Sequence, residues 1–146
     1  MLLWRSAAAQ PRRIVSLDYC ADQFVLALAE RDQIAAPVSG ARRDDSYYRD
    51  RADGVRQTRG SLEEVLALNP DLVVRNWGGP WNAQEIYARF GVPVLQVGDA
   101  PDFPAARDDL MAPRAIGNVE QGRAILVDSI SAWRDCCANT RPIVRR

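Results

Sequence analysis

Apolar positions in this chain follow two patterns: short continuous runs, and runs spaced three or four residues apart. The clearest example lies in residues 60–79. There, Ser61 and Glu64 have the spacing of a capping box, which predicts the start of a helix, and Pro70 predicts its end. The apolar face of this helix comprises Leu62, Val65, Leu66 and Leu68. The continuous apolar run at 72–74 then predicts a strand that is buried on both faces, as in a parallel sheet.

The same alternation extends over the rest of the chain. Further strands are predicted at 14–17, 34–39 and 92–97, with Pro37 best tolerated at a sheet edge. Helices are predicted after 18–22, after an Asn82 cap, from Phe103, and after an Asn118–Gln121 capping box. Their apolar positions are Phe24, Val25, Leu28 and Ala29, then Ile86, Tyr87 and Phe90, then Leu110 and Met111, and finally Val119, Leu126, Ile130 and Trp133.

Strands and helices that alternate in this way predict an α/β fold built from right-handed βαβ units. We expect a single Rossmann-like lobe with a parallel sheet of about four strands flanked by helices, ending in a long carboxyl-terminal helix. A length of 146 residues, with 47% hydrophobic and 26% charged residues, suits one globular domain.

Charge and composition narrow the function classes. Nineteen basic residues, all arginine, balance nineteen acidic ones, and the arginines are scattered, so no basic patch favours nucleic acid. Histidine is absent, which removes the usual general base and the commonest metal ligand. No cofactor and no metal site is predicted. No segment has the apolar length of a membrane span.

One residue supports an enzymatic alternative. Cys20 lies in the turn after the first strand and is a candidate nucleophile in a small stand-alone α/β enzyme domain. The neighbouring Asp18 and Asp22 would raise a thiol pKa rather than lower it, and no histidine is present to take a proton. The other reading of both carboxylates is that they cap the helix that starts here.

Aromatic and polar residues follow each predicted strand at its carboxyl end, where open α/β sheets bind ligands. The candidate ligand-binding residues are Asp18, Tyr19, Arg42, Tyr47, Tyr48, Asn76, Trp77, Trp81 and Asp99. Such an edge suits a bulky, rigid, partly apolar ligand such as a metal chelate or corrinoid. Two alternatives stay open: the 40–59 loop is a solvated surface, and one or both tryptophans pack under their loop. We predict that Trp77 and Trp81 are exposed.

The sequence also carries a family resemblance. GSLEEVLALNPDLVV, with RRIVSL upstream and RFGVPVLQV downstream, resembles the amino-terminal lobe of periplasmic binding proteins that serve ABC importers of cobalamin, ferric siderophores and heme. The resemblance spans 11–133. It implies a solute-binding component rather than an enzyme, with an iron-chelate or corrinoid ligand, ABC permease subunits as partners, and a periplasmic location. It also places Glu63 where family members hold an exposed glutamate that docks onto the permease.

The resemblance further implies a domain organisation. Residues 1–10 read as a signal-peptide remnant, because Ala7-Ala8-Ala9 resembles a cleavage site. Residues 11–117 would form the lobe, 118–137 the helix that joins two lobes in the family, and 138–146 the truncated start of a second lobe. A non-functional gene fragment is a further alternative.

Overall fold

The computed structural model describes residues 10–98 and 116–138, and within these ranges four strands alternate with helices. The strands are β1 (Ile14–Ser16), β2 (Ile34–Ala36), β3 (Leu72–Arg75) and β4 (Val94–Gln96). The helices are α1 (Tyr19–Leu28), α2 (Leu62–Ala67), α3 (Ala83–Ala88) and α4 (Val119–Ala138), with short 3-10 helices at Arg31–Gln33 and Arg49–Ala52. No helix in this part of the chain is long and apolar enough to span a membrane.

The strands form one parallel sheet in the order β2-β1-β3-β4. Ile14 pairs with both Ile34 and Leu72, and Val73 pairs with Val94. The predicted α/β class and the parallel four-strand sheet are therefore confirmed. Pro37 directly follows β2, which lies at a sheet edge, as its missing N–H requires.

Both faces of the sheet are covered. Val25 and Leu26 of α1 belong to the same buried cluster as alternate residues of β1 and β3. On the other face, Val65 of α2 and Tyr87 of α3 pack with the intervening strand residues. The first cluster takes Ile14, Leu72 and Val74 from the strands, and the second takes Val15 and Val73. The apolar run of β3 is thus buried from both sides, as predicted.

Several local predictions are wrong. The Ser61 hydroxyl accepts the Glu64 N–H at 3.3 Å, but the Glu64 carboxylate accepts from the Arg59 N–H at 2.8 Å instead of closing the box with Ser61. Asn82 precedes α3 without a side-chain capping bond. Phe90 lies beyond the end of α3 and is 58% exposed, because the chain has already turned toward β4.

Helix α4 starts as predicted, since the Asn118 side chain accepts the Gln121 N–H at 3.2 Å. β2 and β4 are shorter than predicted, because each predicted run contains a proline that cannot donate to a ladder. Residues 1–9 of the predicted signal-peptide remnant, the Phe103 helix, Asp99 and residues 139–146 of the predicted second-lobe segment lie outside the described residues. The side chains of Leu126, Ile130 and Trp133 lie outside them as well.

Candidate functional site

The carboxyl ends of the parallel strands meet at one edge of the sheet, which we call the carboxyl edge. The loop after β3, residues 76–82, and the loop after β2, residues 37–61, both lie there. An isolated parallel bridge between Val38 and Thr58 closes the base of the longer loop. Because helix α2 starts directly after this bridge, its amino end also lies at the carboxyl edge.

Asp18 connects the turn after β1 to the loop after β3. It is 1% exposed, and its Oδ1 accepts the Ala21 N–H at 2.8 Å as the cap of α1. Its Oδ2 accepts three successive backbone N–H groups, from Asn76 at 2.7 Å, Trp77 at 3.1 Å and Gly78 at 2.8 Å. Successive N–H groups of this kind form an anion-binding nest, here filled by a side chain of the same protein.

The carbonyl groups of the same loop are held from the other side. Arg75 at the end of β3 donates to the Pro80 carbonyl at 3.0 Å and to the Trp77 carbonyl at 3.3 Å. The Gln96 side chain donates to the Asn76 carbonyl at 2.5 Å. The backbone of 76–80 is therefore bonded on both its donor and its acceptor sides.

Gly78 allows this loop to approach the turn after β1. A Cβ at this position would lie 2.2 Å from the Leu17 carbonyl oxygen and 2.8 Å from the Asp18 Cβ, well inside van der Waals contact. Only glycine fits at this distance without moving backbone.

The aromatic side chains of these loops point to solvent. Trp77 is 66% exposed, Trp81 is 91% exposed, and Tyr47 in the loop after β2 is 86% exposed. The prediction that both tryptophans are exposed is confirmed, and the alternative that they pack under the loop is wrong.

The amino end of α1 also holds the loop after β2. The Tyr19 hydroxyl donates to the Asp45 carbonyl at 2.5 Å. The Gln23 side chain donates to the Ser46 hydroxyl at 3.0 Å and accepts the Tyr48 N–H at 3.3 Å. One helix end therefore positions both aromatic loops.

Tyr47 and Tyr48 form an edge-to-face pair with ring centroids 4.9 Å apart. Tyr48 is partly buried against the α1 side of the core, so it anchors the exposed Tyr47 ring. Burial raises the Tyr48 pKa above its usual 10, which keeps the phenol neutral at physiological pH. Arg42 is paired with Asp53 at 2.9 Å, so its charge is already partnered.

Asp22, one turn along α1 from Asp18, is fully buried. Its Oδ1 accepts from the Ser16 hydroxyl and from the Val38 N–H at 3.0 Å, whereas its Oδ2 has no partner among the described residues. Burial is the main cause that raises its pKa to about 7, and the nearby Asp18 adds to it against the two hydrogen bonds.

No family model and no curated protein sequence matches the chain, but solved structures do. A periplasmic heme-binding protein from Pseudomonas aeruginosa has a TM-score of 0.70 and 21% identity over 86% of this chain and 45% of its own. RhuT, a periplasmic heme-binding protein from Roseiflexus sp. RS-1, has a TM-score of 0.68 and 25% identity, over 88% of this chain and 51% of RhuT. BtuF, the periplasmic vitamin B12 binding protein of Vibrio cholerae, has a TM-score of 0.65 and 21% identity, over 86% of this chain and 49% of BtuF.

The chain has the fold of one half of a periplasmic binding protein. It spans about half the length of each of these solved structures.

Within this periplasmic binding protein fold, the structure brings together Asp18, Tyr19 and the loops that carry Tyr47 and Trp77. Asn76 belongs to the same loop, and its side chain donates to the Val97 carbonyl at 3.1 Å. Sequence reasoning missed the bonds that hold the loops, from Asp22, Gln23, Arg75 and Gln96. The strand-end position of Arg75 and Gln96 was the available signal, since each directly follows the apolar residues of its strand.

Cys20, the residue behind the enzymatic alternative, is a half-buried free thiol in the first turn of α1. Its sequence neighbours Asp18 and Asp22 are both buried. Among the described residues no cluster of cysteine, aspartate or glutamate has the arrangement of a metal site.

Proposed function

We propose that this chain is a solute-binding component of an ABC import system in the periplasm, not an enzyme. In this proposal 11–117 is the amino-terminal lobe, 118–137 the helix that joins it to a second lobe, and 138–146 the start of that lobe. The ligand is a metal chelate, either a ferric siderophore or heme, or cobalamin. The observation that carries the proposal is the exposure of Trp77, Trp81 and Tyr47 at the carboxyl edge of a fold shared with heme and vitamin B12 binding proteins.

Physical chemistry supports stacking as the main interaction. Exposed indole and phenol rings on bonded backbone offer large contact area at little entropic cost. Arg42 and Arg43 are each paired with an aspartate, at 2.9 and 3.1 Å, so neither guanidinium is an unpartnered charge for an anion. These pairs are exposed and worth only about 0 to 1 kcal/mol each, so they can open on contact with a ligand.

The first prediction concerns where ligands bind. Cyanocobalamin, a gallium-loaded hydroxamate siderophore and heme are titrated into the ¹⁵N-labelled chain. We expect amide shift changes that cluster at 42–48 and 76–81, with Kd values above about 1 µM, because a single lobe supplies about half of an enclosing site. Trp77→Ala and Trp81→Ala should each weaken binding about tenfold.

Phe90→Ala is the matched control, because Phe90 is also an exposed aromatic residue but lies next to Val92 at the opposite edge of the sheet. It should leave binding unchanged. Shift changes centred on Phe90, or none with any of the three probes, would exclude the carboxyl edge as the site. Submicromolar affinity of this chain alone would contradict the half-site account.

The second prediction concerns docking to the permease. Glu63 is exposed in the first turn of α2, at the carboxyl edge, as the docking role requires. Its neighbour Glu64 instead accepts from the Arg59 N–H and the Thr58 hydroxyl, which hold its pKa below the usual value. Glu63→Ala should therefore leave the melting temperature unchanged. Glu64→Ala should lower it at neutral pH, with a difference that shrinks as the pH falls through the Glu64 pKa.

In a full-length relative, alanine at the position of Glu63 should weaken co-purification with the permease and leave ligand affinity intact. A lowered melting temperature with intact permease binding would make Glu63 a structural residue and end the docking assignment.

A further inference from the structure

We propose that Asp18 is a positioning residue at the carboxyl edge. It fixes the position of Trp77 relative to Tyr47 and Tyr48 in the proposed site. This rests on the proposed function in so far as Trp77 contacts the ligand. Asp18 itself does not touch a ligand in this account, because it is buried and both of its oxygens accept backbone N–H groups. Its role thus differs from the direct contact that the sequence suggests.

The division of labour between the two oxygens of Asp18 supports this role. Capping α1 needs only Oδ1, which accepts the Ala21 N–H. Oδ2 serves a different purpose, since it gathers the N–H groups of Asn76, Trp77 and Gly78. A carboxylate suits both tasks at once, because each oxygen is an acceptor, whereas an asparagine amide has only one acceptor.

The bonds to Oδ2 determine the direction of the Trp77 side chain. With the N–H groups of 76–78 turned toward Asp18 and the Trp77 carbonyl turned toward Arg75, the backbone of the loop has little freedom to rotate. The Cα–Cβ bond of Trp77 is therefore held in one direction, toward solvent, before any ligand arrives. Pre-organisation of this kind raises affinity because less conformational entropy is lost on binding.

The same helix end sets the distance to the other aromatic side chains. Tyr19, the next residue, bonds the Asp45 carbonyl, and Gln23 bonds the Tyr48 N–H. Because Asp18 caps this helix, the Trp77 loop and the Tyr47–Tyr48 loop are both hydrogen-bonded to residues at the amino end of α1. A planar or globular ligand would then contact the Trp77 loop and the Tyr47–Tyr48 loop at a fixed distance from each other.

Asp18→Asn tests the proposal, because it keeps an oxygen for the α1 cap and replaces the acceptor in the nest with an NH₂ group. We expect the backbone amides of Asn76, Trp77 and Gly78 to exchange with solvent at least about tenfold faster. The order parameter of the Trp77 indole N–H should fall. The amides of α1 should keep their protection.

The matched control is Asp71→Asn. Asp71 also accepts two successive backbone N–H groups, from Arg12 at 2.7 Å and Arg13 at 2.8 Å, but at the amino edge of the sheet. It should release one of those two amides, because asparagine keeps one acceptor oxygen, and it should leave Trp77 unchanged. Unchanged exchange at 76–78 in Asp18→Asn, with the first turn of α1 still protected, would overturn the proposal.

A second variant covers the case in which Asp18→Asn does not fold. Gly78→Ala displaces the loop from its seat, because the new Cβ would overlap the Leu17 carbonyl, while Asp18 stays in place as the α1 cap. Loss of protection at 76–78 with α1 intact is the expected result, and protection equal to the native chain would refute the positioning role. Gly40→Ala is its control and should leave 76–78 protected, since a Cβ at Gly40 would meet only the Arg43 side chain, at 3.5 Å.

Ligand titration separates this proposal from the proposed function. If cyanocobalamin, heme or the gallium siderophore binds, Asp18→Asn should weaken it about tenfold, as Trp77→Ala does. Equal affinity in the presence of released 76–78 amides would overturn the positioning role. If no probe binds the native chain, the proposed function fails, while the exchange data still decide whether Asp18 holds Trp77.

Discussion

Replacing Tyr87 with alanine is expected to lower the free energy of unfolding by about 3 to 5 kcal/mol, which is the usual cost of removing a large aromatic side chain from a core. Tyr87 is fully buried on α3 and packs against Val65 of α2 and Val73 of β3. It is among the largest side chains in the described core, and a cavity of its size cannot collapse between two helices and a sheet. Urea unfolding at neutral pH measures the effect.

Tyr87→Phe is the informative companion. The Tyr87 hydroxyl is buried and has no hydrogen-bond partner among the described residues, and burial raises its pKa, so it stays a neutral phenol. Removing an unpaired buried hydroxyl should be neutral or stabilise the protein by up to about 1 kcal/mol. A loss of more than about 1 kcal/mol on Tyr87→Phe would show that the hydroxyl is bonded in solution.

The sheet and its flanking helices could be predicted because their signals are local. The apolar run at 72–74 is buried from both sides as its pattern requires, and Gly91 ends the α3 segment with φ +71°. Asn69, which precedes Pro70, leaves the right-handed helical region as expected, although at φ +48°. The prediction that Phe90 lies on the apolar face of α3 was wrong. Helical spacing identifies a face only as far as the helix continues, and α3 ends at Ala88.

The bonds that hold the site could not be predicted, because they join residues that are distant in the sequence. Asp18 reads as a helix cap from its position alone, and that role is confirmed. Its other oxygen serves N–H groups 58 to 60 residues further on, which no local pattern indicates. The loop arginines were ambiguous for a related reason, since only the fold shows that Arg42 meets Asp53.

The last prediction is that stability falls as the pH rises from about 5 to about 8, by about 2 to 3 kcal/mol, and that Asp22→Asn removes this fall. Asp22 has a pKa of about 7 in the folded protein against an ordinary value of 3.8, with burial away from water as the main cause. Between these two values the folded chain holds a proton that the unfolded chain has lost. The unfolded state therefore binds fewer protons, and raising the pH favours it.

The composition limits the number of other side chains that titrate between pH 5 and pH 8. The chain contains no histidine, so the side chain that usually titrates here contributes nothing to the slope. Tyr48 and Tyr87 have raised pKa values and titrate above the window, whereas Glu64 has a lowered pKa and titrates below it. A pH-dependent loss of stability can therefore be assigned to Asp22 with one variant.

The comparison uses free energies of unfolding in urea at several pH values for the native chain, Asp22→Asn and the control Asp44→Asn, which changes an exposed aspartate. Asparagine can still accept from the Ser16 hydroxyl and the Val38 N–H, so the contacts that join α1 to the end of β2 survive without the titration. The native chain and Asp44→Asn should lose stability together, while Asp22→Asn stays level. Parallel slopes of unfolding free energy against pH in all three chains would mean that Asp22 is already ionised in the folded protein at pH 5. A hydrogen-bond partner for Oδ2 would then stabilise the buried carboxylate.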